Sequence, residues 1–276
     1  MAPEIFRIED PSDRRIAAYR DIRERDLVGR EGLFIAEGKV VLNVLFAARR
    51  FVPQSVLVLE NRLAGLSETL AAAPDAMPVY VASREVMDRI AGFPVHRGVL
   101  ALGRKRPPES PASLLETLPR SALVLLLVGI SNHDNMGAIF RNAAAFDADA
   151  ILLDESCCDP LYRKAIRVSV GAVLKVPFAA GGSATELLSA LGNARFRTIA
   201  LSPQGELDIA TLEAPQRTAL ILGAEGPGLP GHILSATLTA RIAMSESFDS
   251  LNVATAAAIA LHRLWRQRQA SAGEAG

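Results

Sequence analysis

Cysteine is almost missing from this chain: two among 276 residues, adjacent at Cys157 and Cys158. A disulfide framework is therefore excluded, and no second pair exists to complete a thiolate zinc site. A reducing, cytoplasmic setting is expected, and no metal. Aromatic residues make up only 5% against 50% apolar in all, so the interior must be built from Ala, Leu, Val and Ile. That mixture suits helices on a buried sheet better than an all-β sandwich. Net charge is zero, so any contact with nucleic acid has to come from local patches. No long apolar run is present either. The longest, 122–130, falls well short of the ~20 residues of a bilayer span and reads as a buried strand; no membrane partner is expected. Residues 1–10 are too polar and acidic for a signal peptide.

Four prolines and weakened periodicity between Arg104 and Pro119 mark residues 105–118 as a linker. It divides a first domain, 1–104, from a second, 119–270, with a short flexible tail at 271–276. Residues 1–106 carry a charge of +3 and the remainder −3, which makes the first part mildly basic. In the first domain the patterns predict helices over 13–25, 39–48 and 63–73 and another capped by Ser83. Strands are predicted over 33–36, 55–59, 78–81 and 99–103, a small α/β arrangement. In the second, strands are predicted over 123–129, 150–153, 175–178, 198–202, 218–222 and 241–244. Helices are predicted over 136–146, 162–169, 185–192 and 250–268. Strands apolar throughout and separated by helices imply a mostly parallel sheet covered on both faces.

In such sheets ligands bind beyond the carboxyl ends of the strands, and three loops there are rich in function. The first, Gly129 to Gly137, holds Asn132, His133, Asp134 and Asn135, with Asn135 expected as a helix cap and Arg141 under two turns further on. The second contains Gly223, Glu225, Gly226 and Gly228 after an apolar strand. Its G-x-x-G-x-G spacing is not a dinucleotide fingerprint, and no Lys-Ser/Thr pair follows to make a phosphate loop. The third leads from Ile242 and Met244 to Ser250, Leu251 and Asn252. Ser250 is a candidate N-cap, and Asn252 is an odd residue to find in an Ala-rich helix.

Together the stretches Asn132-(x)2-Asn135-Met-Gly137-Ala-Ile-Phe-Arg141, Leu222-Gly223-Ala-Glu225-Gly226-Pro-Gly228-Leu and Ile242-Ala-Met244 with Ser250-Leu251-Asn252-Val253-Ala254 resemble the three motifs of the SpoU (TrmH-like) RNA 2′-O-ribose methyltransferases of the SPOUT class. The order and spacing agree over roughly 120–268. Phe34 to Gly38 and Arg97 to Ala101 look more loosely like the ribosomal-protein-like RNA-binding domain that many members carry. The resemblance implies an α/β fold whose C-terminal, mostly parallel sheet holds a deep trefoil knot, although knots are rare exceptions to general topology rules. It also implies a homodimer and a structured RNA substrate, tRNA or rRNA. The cofactor implied is S-adenosylmethionine, released as S-adenosylhomocysteine. It would be held by Leu222, Gly223, Glu225, Gly226, Gly228, Ile242, Met244, Leu251, Asn252 and Ala254.

By the same analogy Arg141 is catalytic, with Asn135, Glu225, Ser250 and Asn252 orienting it, the loop or the target ribose, and Asn132 a weaker candidate. A guanidinium keeps its proton, so Arg141 is read as a binder and polariser of the attacking oxygen or a neighbouring phosphate rather than as an ordinary base. Family members commonly carry Thr where this chain has Asn142 and Gly where it has Asp147.

The remaining polar residues receive structural readings. His133 and Asp134 are loop neighbours, and Cys157 and Cys158 are packing residues. Arg163, Lys164 and Arg167 form a helical face that is either solvated or set to meet phosphate. Arg263, Trp265, Arg266 and Arg268 could serve an interface or RNA. Two rival functions keep the same fold: methylation of a base nitrogen, and a catalytically silent RNA-binding relative.

Overall fold

The computed structural model describes residues 3–20, 24–29, 31–91, 97–213, 215–245 and 247–273. The chain forms two compact units, one of residues 1–107 with 159–175, the other of 108–158 with 176–276.

In the first unit the strands are β1 (Glu4–Ile8), β2 (Leu33–Glu37), β3 (Val52–Leu59), β4 (Pro78–Ala82) and β5 (Val99–Arg104). They lie in the order β1-β4-β3-β5-β2, with β1, β4 and β3 parallel and β5 antiparallel to both β3 and β2. Its helices are α1 (Glu24–Gly29), α2 (Lys39–Ala48), α3 (Glu60–Leu63), α4 (Ser67–Ala71) and α5 (Arg84–Ala91). The helix expected over 13–25 is instead a 3-10 segment, Arg14–Tyr19, capped by the Asp13 carboxylate. Positions 21–23 lie outside the described residues. The one expected over 63–73 is broken into α3, a 3-10 turn and α4, with Gly65 in the turn.

The excursion 159–175 carries α8 (Arg163–Val168) and α9 (Ala172–Lys175). The sequence pattern places it in the second domain, yet α8 packs on β2 and α9 on α2. A Cβ on Gly171, whose φ is +85°, would lie 3.3 Å from Val44 Cβ, so glycine suits both the turn and the approach. The basic residues Lys164 and Arg167 on α8 are exposed.

The second unit opens with a helix in the expected linker, α6 (Pro111–Glu116). Ser110 caps it by accepting the Ser113 N–H, and Leu114 and Leu115 enter the core. Its strands are β6 (Ala122–Leu127), β7 (Ala150–Leu153), β8 (Phe178–Ala180), β9 (Arg197–Leu201), β10 (Leu207–Asp208), β11 (Arg217–Leu222) and β12 (Leu238–Arg241). Their order is β10-β12-β9-β11-β6-β7-β8, and every pairing is parallel. The helices are α7 (His133–Ala145), α10 (Ala184–Asn193), α11 (Gly231–Ser235) and α12 (Val253–Gly273). All six residues of β6 are buried, as a strand covered on both faces requires. Each fully buried Leu there contributes about 1.5–3 kcal/mol. Two strands are displaced from expectation. β8 starts only after Pro177, which has no N–H for the ladder, and β12 ends at Arg241, leaving 242–245 and 247–252 outside any strand or helix.

The C-terminal helix is strapped along its length to α7 and its flanks. Trp265 Nε1 donates to Asp147 at 3.0 Å, Arg268 pairs with Asp149 at 3.1 Å, and Phe146 stacks edge-on with His262. Asp147 has φ +49°, the left-handed region that Asp tolerates better than most side chains. The tail expected at 271–276 is helical as far as Gly273, and residues 274–276 lie outside the described set. Asp147→Ala removes the acceptor and keeps the unfavourable φ. It should destabilise this unit by about 1–2 kcal/mol, read from denaturation followed by emission of Trp265, the chain's single tryptophan. An unchanged midpoint would refute the strap.

Candidate active site at the carboxyl edge of the parallel sheet

Because every pairing in the second sheet is parallel, the loops after β6, β9, β11 and β12 emerge at one edge. Those after β9, β11 and β12, three adjacent strands, line a cavity of about 660 Å³. That is within the range of small-molecule sites.

The loop after β11 is a tight reversal. Gly228 N–H donates to the Ala224 carbonyl at 3.1 Å, and Gly226 and Gly228 take φ of +85° and +68°. A Cβ on Gly223 would lie 2.6 Å from both Gly228 C and Leu229 N, so the backbone itself occupies the space of a side chain. Leu222, Gly223, Glu225, Gly226, Gly228, Ile242, Met244, Leu251 and Asn252, all named from sequence as cofactor residues, line the cavity; so does Ser250. Ala254 does not line it. It is buried, and its peptide is fixed from both sides: its N–H donates to Asn252 Oδ1 at 3.0 Å and its carbonyl accepts from Asn142 Nδ2 at 2.8 Å.

Asn252 is the centre of the site. Its Oδ1 also accepts the Thr255 N–H at 3.3 Å, so Asn252 caps α12, and Ser250 does not. Its Nδ2 donates to Asn135 Oδ1 at 2.9 Å and to Glu225 Oε1 at 2.7 Å. One amide thereby joins the loop after β11, the start of α12 and the first turn of α7. Glu225, expected to hold either Arg141 or its loop, is bonded to Asn252.

Asn135 is not a cap. Asn132 caps α7, accepting the Asp134 N–H at 2.8 Å, and Asn135 lies inside the first turn with its side chain buried. Arg141 is exposed on α7, with no hydrogen-bonding or ionic partner among the described residues, and it does not line the cavity. The loop after β6 is braced by buried Asp154, which accepts the Gly129 N–H at 3.0 Å and the Ser156 hydroxyl at 2.8 Å. Burial, reinforced by Asp154, pushes the Cys157 thiol up to about 12, which fits packing and not nucleophilic chemistry.

Sequence reasoning missed Ser202, Pro203 and Gln204, which line the cavity after β9. The available signal was a Ser-Pro-x-Gly turn directly after an apolar strand. Its Gly205 would collide with the Ala240–Arg241 backbone if it carried a Cβ, and Arg241 donates to the Gly205 carbonyl at 2.8 Å. Among the described residues no cluster of His, Cys, Asp or Glu is suited to a metal.

A parallel α/β sheet with a cavity at its carboxyl edge, built from close-approach glycines and an Asn–Asn–Glu network, defines a small-molecule-binding α/β domain of enzyme type. Residues 122–262 match the model of the SpoU rRNA Methylase family, and the chain belongs to that family. An uncharacterized tRNA/rRNA methyltransferase of Mycobacterium bovis is 40% identical over 266 residues, covering 93% of this chain and 90% of the relative. Among solved structures, an RNA 2′-O ribose methyltransferase is similar with a TM-score of 0.75 at 26% identity, over 96% of this chain and 100% of that one. The SpoU methyltransferase AviRb from Streptomyces viridochromogenes, in complex with AdoMet, shares the fold with a TM-score of 0.80 at 20% identity, over 94% and 100% of the two chains.

Proposed function

We propose that this protein transfers a methyl group from S-adenosylmethionine to a ribose 2′-hydroxyl of a structured RNA, tRNA or rRNA. The observation that carries the reading is the Asn252 amide, which ties the cavity loops to the helix bearing Arg141. The cavity fits the cofactor. Leu201, Leu222, Ile242 and Leu251 give it apolar walls, and the loop from Gly223 to Gly228 offers backbone polar groups where side chains are excluded. When bound, the cofactor supplies an already activated sulfonium methyl.

The remaining task of the chain is alignment and the handling of one proton. The exposed guanidinium of Arg141 binds and polarises the attacking hydroxyl or a phosphate beside it, stabilising negative charge as it develops on oxygen. Asn135 and Glu225 orient Asn252, and Ser250 at the cavity wall meets the target nucleotide. The reading includes a trefoil knot in the C-terminal chain and a cytoplasmic homodimer with the site near the subunit interface. No helix among the described residues is long and apolar enough to cross a membrane.

The test is transfer of labelled methyl from S-adenosylmethionine to RNA from cells lacking the enzyme. Label recovered in an alkali-resistant dinucleotide, falling about a hundredfold in Arg141→Ala, is the expected result. Label in alkali-released mononucleotides would instead assign a base nitrogen. Cofactor binding without transfer to any RNA would identify a silent RNA-binding relative.

A further inference from the structure

Asn135 and Asn142 stand seven residues apart on α7, two turns, and therefore on one face of the helix. Both reach the start of α12. Asn135 accepts from the Asn252 side chain at 2.9 Å, and Asn142 donates from Nδ2 to the Ala254 carbonyl at 2.8 Å. Asn252 closes the circuit by accepting the Ala254 N–H at 3.0 Å. The Ala254 peptide is thus gripped at its N–H by the cavity-side asparagine and at its carbonyl by α7. Arg141 adjoins Asn142 and lies about 100° further round the helix, on the flank of the same face.

We propose that Asn142 is a positioning residue: with Asn135 it makes a two-point clamp that fixes the first turn of α12, and with it the cavity loop, against the helix that carries Arg141. The proposal rests on the functional reading above, in which Arg141 and the cavity serve one reaction. The later turns of α12 are held at Phe146, Asp147 and Asp149, so a single contact at Asn135 would leave only its first turn tied to α7 through one amide. The second contact, about 10 Å along α7, holds that turn from its other side. The chemistry makes the clamp worth having. Methyl transfer needs the attacking oxygen within about 3–3.5 Å of the donor carbon and in line with it. Loosening of the first turn of α12 would shift the donor-binding loop relative to the oxygen-binding group without emptying either.

The decisive substitution is Asn142→Asp, which keeps size and shape but presents a carboxylate to the Ala254 carbonyl in place of a donor. Asn142→Gln restores an amide on a longer arm. Three readings are taken on the full-length protein: methyl transfer to RNA, S-adenosylmethionine binding by calorimetry, and amide hydrogen exchange at 253–258. The expected result for Asn142→Asp is a fall in kcat of about tenfold or more with cofactor affinity within about twofold of wild type. Exchange over the first turn of α12 should quicken about tenfold, and Asn142→Gln should recover part of both. Wild-type exchange and kcat in Asn142→Asp would overturn the clamp. So would a kcat loss matched by equal losses of cofactor affinity and global stability, which would mark Asn142 as merely structural. If the wild type transfers no methyl, the functional reading fails by itself. Exchange at 253–258 then decides the clamp: quickening in Asn142→Asp retains it, and no change ends it.

Discussion

Gly223→Ala should lower S-adenosylmethionine affinity by about tenfold to a hundredfold, the largest loss expected from removal of no functional group. The added methyl has nowhere to go. It would sit 2.6 Å from Gly228 C and Leu229 N and 2.8 Å from the Gly228 carbonyl oxygen, all backbone atoms that no rotamer change can move. Relief requires the loop between Gly223 and Leu229 to open, and that loop is a wall of the cavity. Overpacking of this kind costs about 1–3 kcal/mol, and the cavity bears it directly. Gly226→Ala is the matched control. Its Cβ meets nothing within 4 Å, although its φ of +85° is unfavourable for alanine. It should cost about 1 kcal/mol of stability and leave the cavity walls in place. Titration calorimetry on both variants separates the cases, and near wild-type binding by Gly223→Ala would refute the account of the cavity.

Asn252→Asp should reduce methyl transfer about a thousandfold while the protein stays folded. Aspartate is as good an N-cap as asparagine, so the bonds from the Ala254 and Thr255 N–H groups persist. What disappears is the donor to Asn135 and Glu225, and a carboxylate is left where Glu225 Oε1 stood 2.7 Å from an amide nitrogen. Two carboxylates that close cannot both ionise without penalty, so one takes up a proton more readily than usual. The protonated member can then donate to the other and rebuild the bond. Activity in this variant should therefore recover as pH falls, where protonation of the pair is complete, and be lost as pH rises and both groups ionise. Asn252→Ala, which also loses the cap, should lack the recovery and cost about 1 kcal/mol more in stability. Transfer rates measured against pH for both variants decide the matter. A loss of equal size at every pH would show that the network is not what Asn252 contributes.

The cavity residues were legible in sequence because close backbone approach and amide networks demand unusual residue types after apolar strands. Gly223, Glu225 and Asn252 all lie where those loops were expected to converge. Their roles were less legible. Asn132 and Asn135 are both credible caps by composition, and only the packing of α7 against α12 makes Asn132 the cap and turns Asn135 inward. Asn252 is out of place inside the helix expected over 250–268, but α12 begins one residue after it. The short edge strand β1 went unread, because a charged pentapeptide shows its strand character only once paired with β4. The turn after β9 was missed because Ser-Pro-Gln-Gly reads as an ordinary turn. Its part in the cavity depends on β9 lying between β12 and β11, a neighbourhood set by sheet order and not by sequence distance.

The excursion from Asp159 to Lys175 has a consequence for how the polypeptide is made. The first unit holds Ala165, Ile166, Val173 and Leu174 in its interior, though they lie more than fifty residues beyond the end of its sheet. During synthesis its five strands can all have left the ribosome while one flank is still uncovered. β6, α7 and β7 must emerge before the covering helices do. The amino-terminal unit therefore cannot finish folding until β6, α7 and β7 of the other have also emerged, unlike a simple bead on a string. A gene fragment stopping at residue 107 would yield a particle with a bare apolar flank, and the natural place to divide this protein is not a single cut.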